Sequence, residues 1–238
     1  MVQQIFVRNA GPKEADLQYI YGMTWTTAGN SYRASFSSNR SLQVYLIVFL
    51  IFWLATLFHT NDYANWVLEN TLVFIFLGIL TWTYRRFQFS DLSYTFMFVY
   101  LSLHIYGAMY TYAENPFGYW LKDTFHFERN HDDRIVHFSF GFMLAYPMRD
   151  FFINYMKFPA WVGWVLPVEI TLSFSCIYEL IEWAVADVLF PEQGVAYLGT
   201  QGDVWDAQKD MFMAGSGAIL IMLSIWLLRS QIKSRQAN

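Results

Sequence analysis

The apolar positions of this chain are grouped into long runs, where a soluble protein would spread them in half-buried periods. Six runs are long enough to cross a bilayer, whose hydrocarbon core of about 30 Å needs roughly 20 residues of helix. They cover residues 42–60, 64–84, 91–113, 134–156, 162–189 and 206–229. Backbone groups in hydrocarbon find no water to bond, so each run is expected to be helical. The pattern therefore predicts an all-α membrane protein with six transmembrane helices.

The six runs divide the chain into three predicted parts. Residues 1–41 mix charge with Gly, Ser and Thr and lack the compact apolar core of a signal peptide, which indicates a cytoplasmic N-terminal segment. Residues 42–229 form the predicted six-helix transmembrane domain, and residues 230–238 form a polar tail. Trp and Tyr are frequent near the ends of the runs, as in the aromatic belts of membrane interfaces.

Lys and Arg residues fall mainly on one side of this predicted topology. Eleven lie in the N-terminal segment, in the loops after the second and fourth runs, or in the tail. The four on the other side are Lys122, Arg129, Arg134 and Lys209. The positive-inside rule therefore predicts that both termini are cytoplasmic and that the loops after the third and fifth runs face outward.

Composition agrees with a membrane protein and argues against other classes. Hydrophobic residues make up 55% of the 238 residues and charged residues only 14%, with a net charge of −4. Soluble domains of this size rarely combine these values, and the charge does not suggest a nucleic-acid partner. The single cysteine, Cys176, rules out an internal disulfide and is interpreted as a small buried apolar residue.

Seven ionisable residues interrupt the predicted spans at one depth, all within about 15 Å of the outer surface at 1.5 Å per residue. They are Glu69, His104, His137, Glu179, Glu182, Asp206 and Asp210. An ionised side chain deep in a bilayer costs on the order of 3 kcal/mol. A polar cavity that opens outward and is lined by these side chains explains their common depth.

The spacing of the polar residues supports a shared site. Three sets follow helical steps of three or four and are expected to share a helix face. These sets are Glu179 with Glu182; Asp203, Asp206 and Asp210; and Arg134 with His137 and Gly141. Two close carboxylates do not both ionise cheaply, so they share a proton or are offset by Arg134, Lys209 or a metal ion. The aspartates also suit a helix N-terminus, where the dipole favours negative charge.

These residues form a candidate site for a divalent metal ion or for general acid–base chemistry without metal. The candidate catalytic residues are Glu179 or Glu182 as the base and His137 as acid or ligand. The candidate metal ligands are His137, Glu179, Asp206 and Asp210, and the candidate supporting residues are Arg134, Asp203, Glu69 and His104. The sequence does not select among Mg²⁺, Mn²⁺ and Zn²⁺.

Each assignment has a structural alternative. Asp203 and Asp206 could be plain helix caps, and Glu69 and His104 could be packing residues that bond a neighbouring helix. The charges around Arg134 could form an ion-pair network that only ties helices together. Four further polar residues are placed in the outer loop, where a solvated role is expected: His126, His131, Asp132 and Asp133.

Three motifs resemble a known family. They are RNHDDRIVHFSFGF (129–142), YELIEW (178–183) and GTQGDVWDAQKDM (199–211). They are similar to the bacterial inner-membrane family of YjdF type, a domain of unknown function. The resemblance implies a multi-pass protein of the inner (cytoplasmic) membrane without an established reaction. The order of elements resembles, more distantly, that of the VanZ-like membrane proteins associated with glycopeptide-antibiotic resistance. In this chain, His137, Glu179 and Asp210 would match the His, Glu and Asp of the motifs of those proteins.

Three functions remain open from the sequence. The first is a membrane-embedded enzyme that acts on a lipid or lipid-linked substrate at the outer face. The second is a proton-coupled transporter, for which six helices could suffice in a dimeric carrier. The charges of this chain lie near one surface, however, whereas transporter sites usually lie at the midplane. The third is a non-catalytic protein that binds an amphipathic ligand or partner. The expected partners are therefore membrane lipids and, in an oligomer, a second copy of the chain.

Overall fold

The part of the chain that the structure describes is helical throughout. The computed structural model describes residues 35–189 and 198–237, so most of the predicted N-terminal segment lies outside the described residues. The helices are α1 (Arg40–His59), α2 (Tyr63–Tyr84), α3 (Asp91–Met109), α4 (Pro116–Phe125), α5 (Asp132–Asp150), α6 (Val162–Trp183) and α7 (Asp206–Ala237). Wider helical turns continue α5 through Phe151–Tyr155 and α6 through Ala184–Leu189, and a 3₁₀ turn at Phe36–Ser38 precedes α1.

Short polar side chains begin the first four helices. The capping residues are Asn39, Asp62, Ser90 and Asn115, each of which accepts a hydrogen bond from an amide in the first turn of its helix. Such caps satisfy amides that have no partner within the helix. Pro116 occupies the start of α4, where the missing N–H of proline costs nothing.

Four helices are long and apolar enough to span a membrane by length and composition. They are α1, α2, α6 with its continuation to Leu189, and α7 over Asp206–Gln231. These four confirm the membrane-protein class and four of the predicted spans. The third and fourth predicted spans correspond to α3 and α5, which have 19 residues each. As spans these two stay predictions, since α5 carries charged residues in its first and last turns.

The region between the third and fourth predicted spans differs most from expectation. Helix α3 ends at Met109 and not at residue 113, because Thr111 and Tyr112 adopt a left-handed backbone with φ of 51°. A short helix, α4, follows in a segment that was expected to be loop. Helix α5 begins at Asp132, so the placement of Asp132 and Asp133 in a solvated loop is wrong.

Helix α7 continues to Ala237, past the predicted end of the sixth span at residue 229, and the boundary between domain and tail at residue 230 stays a prediction. A further expectation is corrected on α6. Cys176 was interpreted as buried and is exposed on α6. On a membrane span an exposed side chain of this kind faces lipid, where a small apolar residue is suitable.

Helix α5 occupies the centre of the bundle and packs most extensively against α7, with α3 and α6 on other sides. Glycine residues, which have no side chain, allow this close approach. A Cβ atom on Gly141 would lie 1.8 Å from the carbonyl oxygen of Ala214, and one on Gly217 would lie 2.2 Å from that of Phe138. Small residues have the same role in other membrane helix pairs. The shortest α5–α7 approaches therefore depend on glycine.

Gly141→Ala is expected to lower the free energy of unfolding by about 1–3 kcal/mol, the usual cost of overpacking, because the new methyl group meets the α7 backbone. Gly78→Ala is the matched control, since nothing lies within 4 Å of its Cβ position on α2 and alanine is favoured over glycine in a helix. Thermal unfolding in detergent measures both variants. Equal melting temperatures would contradict the tight α5–α7 contact.

Candidate functional site

One end of the bundle gathers the predicted site residues. Helices α5 and α7 begin at this end, and α3 and α6 terminate there. The first turns of α2 lie at the same level, since Asn65 Nδ2 on α2 donates to the carbonyl oxygen of Ala108 near the end of α3 at 3.4 Å. The site residues form three adjoining groups, each supplied by different helix ends.

The first group is an ion-pair network, here named the arginine clamp, which holds the aspartates at the start of α7. Arg129 and Arg134 both bond the Asp206 carboxylate, and Arg134 also bonds Asp203. Lys209 Nζ adds a third cation 2.6 Å from Asp203 Oδ2. The network expected around Arg134 is thus present, and Arg129 is a member that sequence reasoning missed.

The partners of Asp203 favour its ionised form. Hydrogen bonds from Lys209 and from the Trp205 amide, together with the Arg134 guanidinium, hold the pKa of Asp203 well below its usual range. The Trp205 amide donates to Asp203 Oδ1 at 3.1 Å, in the turn that leads into α7. Because α7 begins at Asp206, this bond stabilises the turn before the helix, and the role of Asp203 as a plain helix cap stays a prediction.

The GTQGD segment ahead of α7 depends on a left-handed backbone. Gly199, Gln201 and Gly202 have φ values of 58°, 50° and 86°, and glycine reaches this region without steric cost. The turn brings Gln201 to Asn130, where each residue donates one hydrogen bond to the other at 2.9 Å. This docking places the aspartates of the loop beside the arginines that precede and begin α5.

The second group, here named the acidic cluster, consists of Asp133, His137, Glu179 and Asp210. One ligand atom each from Asp133, His137 and Asp210 lies within 4.8 Å of the other two. His137 Nε2 is 3.6 Å from Asp133 Oδ1 and 3.5 Å from Glu179 Oε1. Three helices therefore converge on one point, with α5 supplying two side chains one turn apart.

Two buried oxygens of the acidic cluster have no hydrogen-bond partner among the described residues: Asp210 Oδ1 and Glu179 Oε1. The Arg134 Nε atom is 3.9 Å from Asp210 Oδ1, which is beyond hydrogen-bond distance. Buried carboxylates are normally paired, hydrogen-bonded or bound to metal. One imidazole with two or three carboxylates is a suitable donor set for a divalent metal ion such as Zn²⁺ or Mn²⁺.

The structure brings together three of the four predicted metal ligands: His137, Glu179 and Asp210. The fourth, Asp206, is occupied by the two arginines of the clamp. Asp133 stands in its place, although it was expected to be a solvated loop residue. The sequence spacing could have identified Asp133, because it is four residues before His137. The two side chains are neighbours on one helix face once α5 is extended by one turn.

Glu182, the other candidate base, borders the acidic cluster. It lies one turn beyond Glu179 on α6 and is half-buried. Its charge interacts with those of Glu179, Asp133 and Glu69. Among the described residues, Glu179 has an ion-pair contact with His137, with Oε1 3.5 Å from Nε2, and Glu182 has none. This contact makes Glu179 the better candidate for a base.

The third group, here named the Glu69 network, is a buried hydrogen-bonded set next to the acidic cluster. Tyr178 donates to Glu69 Oε2 at 2.8 Å, and the Tyr112 hydroxyl lies 3.3 Å from the same oxygen. The Tyr112 hydroxyl is 2.9 Å from His104 Nδ1, and His104 Nε2 is 3.2 Å from the Glu69 carbonyl oxygen. These bonds match the alternative in which both residues tie helices together. The Tyr178 ring also packs on His137, with centroids 5.8 Å apart.

Asp206→Asn is expected to lower the free energy of unfolding by about 3–5 kcal/mol, because it removes the carboxylate charge that the buried Arg129 and the half-buried Arg134 share. Asp123→Asn is the matched control, since Asp123 is an exposed acid on α4 outside the clamp. Thermal unfolding compares the two variants. The clamp is contradicted if the Asp206 variant loses no more stability than the Asp123 variant.

Comparison with known proteins shows the family of the chain. Residues 41–231 match the DUF2238 family, described as "Predicted membrane protein". The chain is also 35% identical over 166 residues to "Inner membrane protein YjdF" of Escherichia coli (strain K12), an alignment that covers 68% of this chain and 78% of that protein. No solved structure matches the chain. The predicted YjdF-type resemblance and inner-membrane localisation are confirmed, while the VanZ-like layout stays a prediction. The chain belongs to the DUF2238 family of predicted membrane proteins.

Proposed function

We propose that α1, α2, α3, α5, α6 and α7 all cross the membrane, with both termini in the cytoplasm. Helices of 19 residues, such as α3 and α5, reach about 28 Å at 1.5 Å per residue, close to the hydrocarbon core. The low hydropathy of α5 is compatible with this, because α3, α6 and α7 surround it and shield its polar side chains from lipid. The distribution of Lys and Arg then puts the acidic cluster on the outer side.

In this proposal the acidic cluster binds one divalent cation. The observation that carries it is the convergence of Asp133, His137 and Asp210 within 4.8 Å, beside buried oxygens that lack a partner. Catalytic metal sites commonly use three protein ligands and leave a position for water or substrate. The arginine clamp supports this arrangement, because it fixes the start of α7 one turn before Asp210.

A cation at this point suits hydrolysis of an ester in a lipid or lipid-linked substrate. A cation held by Asp133, His137 and Asp210 would supply Lewis-acid activation of a water molecule for addition to the ester carbon or phosphorus. Glu179, whose Oε1 is 3.5 Å from His137 Nε2, takes the water proton. It returns this proton to the leaving oxygen as the ester bond breaks. The cluster lies near the ends of the spans, where the headgroups of membrane lipids are within reach.

The alternative functions have less support. A transporter needs a polar route from the acidic cluster to the opposite end of the bundle. The α5–α7 contact along that route is apolar, formed by Ala145, Tyr146, Ala218, Ile221, Met222 and Ile225. An ion-pair scaffold accounts for the arginine clamp but leaves buried oxygens of Asp210 and Glu179 without a hydrogen-bond partner in the part of the chain that the structure describes. A homo-oligomer stays a prediction.

The purified protein is expected to carry close to one equivalent of zinc or manganese after dialysis against that metal. Asp133→Asn and Asp210→Asn are expected to weaken binding on the order of tenfold or more, because each removes a ligand oxygen. Mass spectrometry of metal content measures this. Asp123→Asn is the matched control, since Asp123 is an exposed acid on α4 outside the cluster.

Two results would contradict this proposal at different levels. Equal metal content in the control and in both ligand variants would remove the cation site. Hydrolysis of radiolabelled membrane lipids tests the reaction separately, with the products separated by thin-layer chromatography and counted for wild type and Glu179→Gln. A wild type that binds metal but releases no product above the Glu179→Gln background would remove the hydrolase and keep the site.

A further inference from the structure

Helix α4 presents three chemically different sides, although it has only 10 residues. At 3.6 residues per turn, Gly118 falls on one side and is buried. Phe117 and Trp120 fall on a second side, and Tyr119 and Asp123 fall on a third. This segment was expected to belong to the outward-facing loop after the third run.

The first side of α4 is fixed to the loops around the arginine clamp. A Cβ atom on Gly118 would lie 1.6 Å from Asn130 Oδ1, so the contact requires glycine. Asn130 Nδ2 donates to the carbonyl oxygen of Asn115 at 2.9 Å, which closes the segment that contains α4. Asn130 also bonds Gln201 in the loop before α7. These contacts hold α4 next to the site.

Helix α4 lies at the level where the membrane spans end. The chain enters it from the end of α3, where the carbonyl oxygen of Met109 accepts from the Asn61 amide just before α2, at 3.5 Å. The chain then continues to Arg129, which bonds Asp206 at the start of α7. Both α2 and α7 are apolar enough to span a membrane. The segment between these two points is therefore at the membrane surface.

The second side of α4 exposes one pair of stacked aromatic rings, and the C-terminal end of α4 exposes another. Phe117 and Trp120 have centroids 5.8 Å apart, and Phe125 and Phe127 have centroids 5.7 Å apart. All four side chains are exposed, by 42% to 58%. Aromatic rings are enriched at the headgroup level of membrane proteins. A short helix with one apolar and one polar side lies in the plane of that layer.

We infer that α4 is an interfacial helix, whose aromatic side inserts into the bilayer surface on the side of the acidic cluster. Its partner is the lipid headgroup layer, and its polar side with Tyr119 and Asp123 faces water. Because α4 is bonded through Asn130 to the loop before α7, this insertion brings headgroups next to the site. The inference does not depend on metal binding.

Electron paramagnetic resonance of nitroxide labels at residues 117 and 119 tests this inference. Phe117 and Tyr119 are matched in exposure, at 43% and 44%, so a helix free in water gives both labels equal contact with solvent. The labels are attached to Phe117→Cys and Tyr119→Cys in a Cys176→Ala chain. The full protein is placed in vesicles of phosphatidylethanolamine and phosphatidylglycerol. Molecular oxygen, which concentrates in lipid, is expected to relax label 117 more, and a water-soluble nickel chelate is expected to relax label 119 more.

The inference is overturned if the nickel chelate relaxes both labels equally, or if the preferences are reversed. Labels at Phe127→Cys and Glu128→Cys, both exposed just after α4, repeat the comparison outside the helix. They decide the question if a substitution in α4 itself prevents folding, because residue 127 is expected to prefer oxygen and residue 128 the chelate.

Discussion

The two arginines bound to Asp206 are the interaction on which the site depends. The bonds from Arg129 and Arg134 cross between the start of α5 and the start of α7, where several acids meet and would otherwise repel one another. With Asp206 neutralised in this way, the two helices can approach closely at Gly141 and its partners. The same link fixes the position of Asp210 relative to His137. The local structure of the GTQGD loop therefore serves a contact between helices distant in sequence.

The acids of this end of the bundle divide into three roles that sequence spacing alone does not separate. Asp203 and Asp206 hold the arginines, and Glu69 accepts hydrogen bonds from tyrosines. Asp210 and Glu179 keep buried oxygens that have no hydrogen-bond partner within residues 35–189 and 198–237. This division supports the cation proposal, because both carboxylates lie in the acidic cluster with His137. It also explains why three acids stand ahead of one apolar helix, which a capping role alone would not require.

Apolar runs predicted the helices that face lipid, because a span exposed to hydrocarbon must be apolar along its whole length. Apolar runs were less informative for α5, because it packs against α3, α6 and α7 and can carry polar side chains that do not contact lipid. The common depth of His137, Glu179 and Asp210 indicated that they lie close together, as they do in the structure, and their role as one site stays a prediction. Asp133 and Arg129 were missed for physical reasons: the start of α5 was placed too late, and the choice of partner by an arginine depends on contacts far apart in sequence.

The most direct test of the central claim, that Asp133, His137 and Asp210 bind one cation, is X-ray absorption spectroscopy of the zinc-loaded protein. The account predicts nitrogen and oxygen ligands at about 2.0–2.2 Å with no sulfur. It also predicts the scattering pattern of a single imidazole, which His137→Gln removes. A zinc ion surrounded only by water oxygens, or an imidazole signal that persists in His137→Gln, would contradict the account.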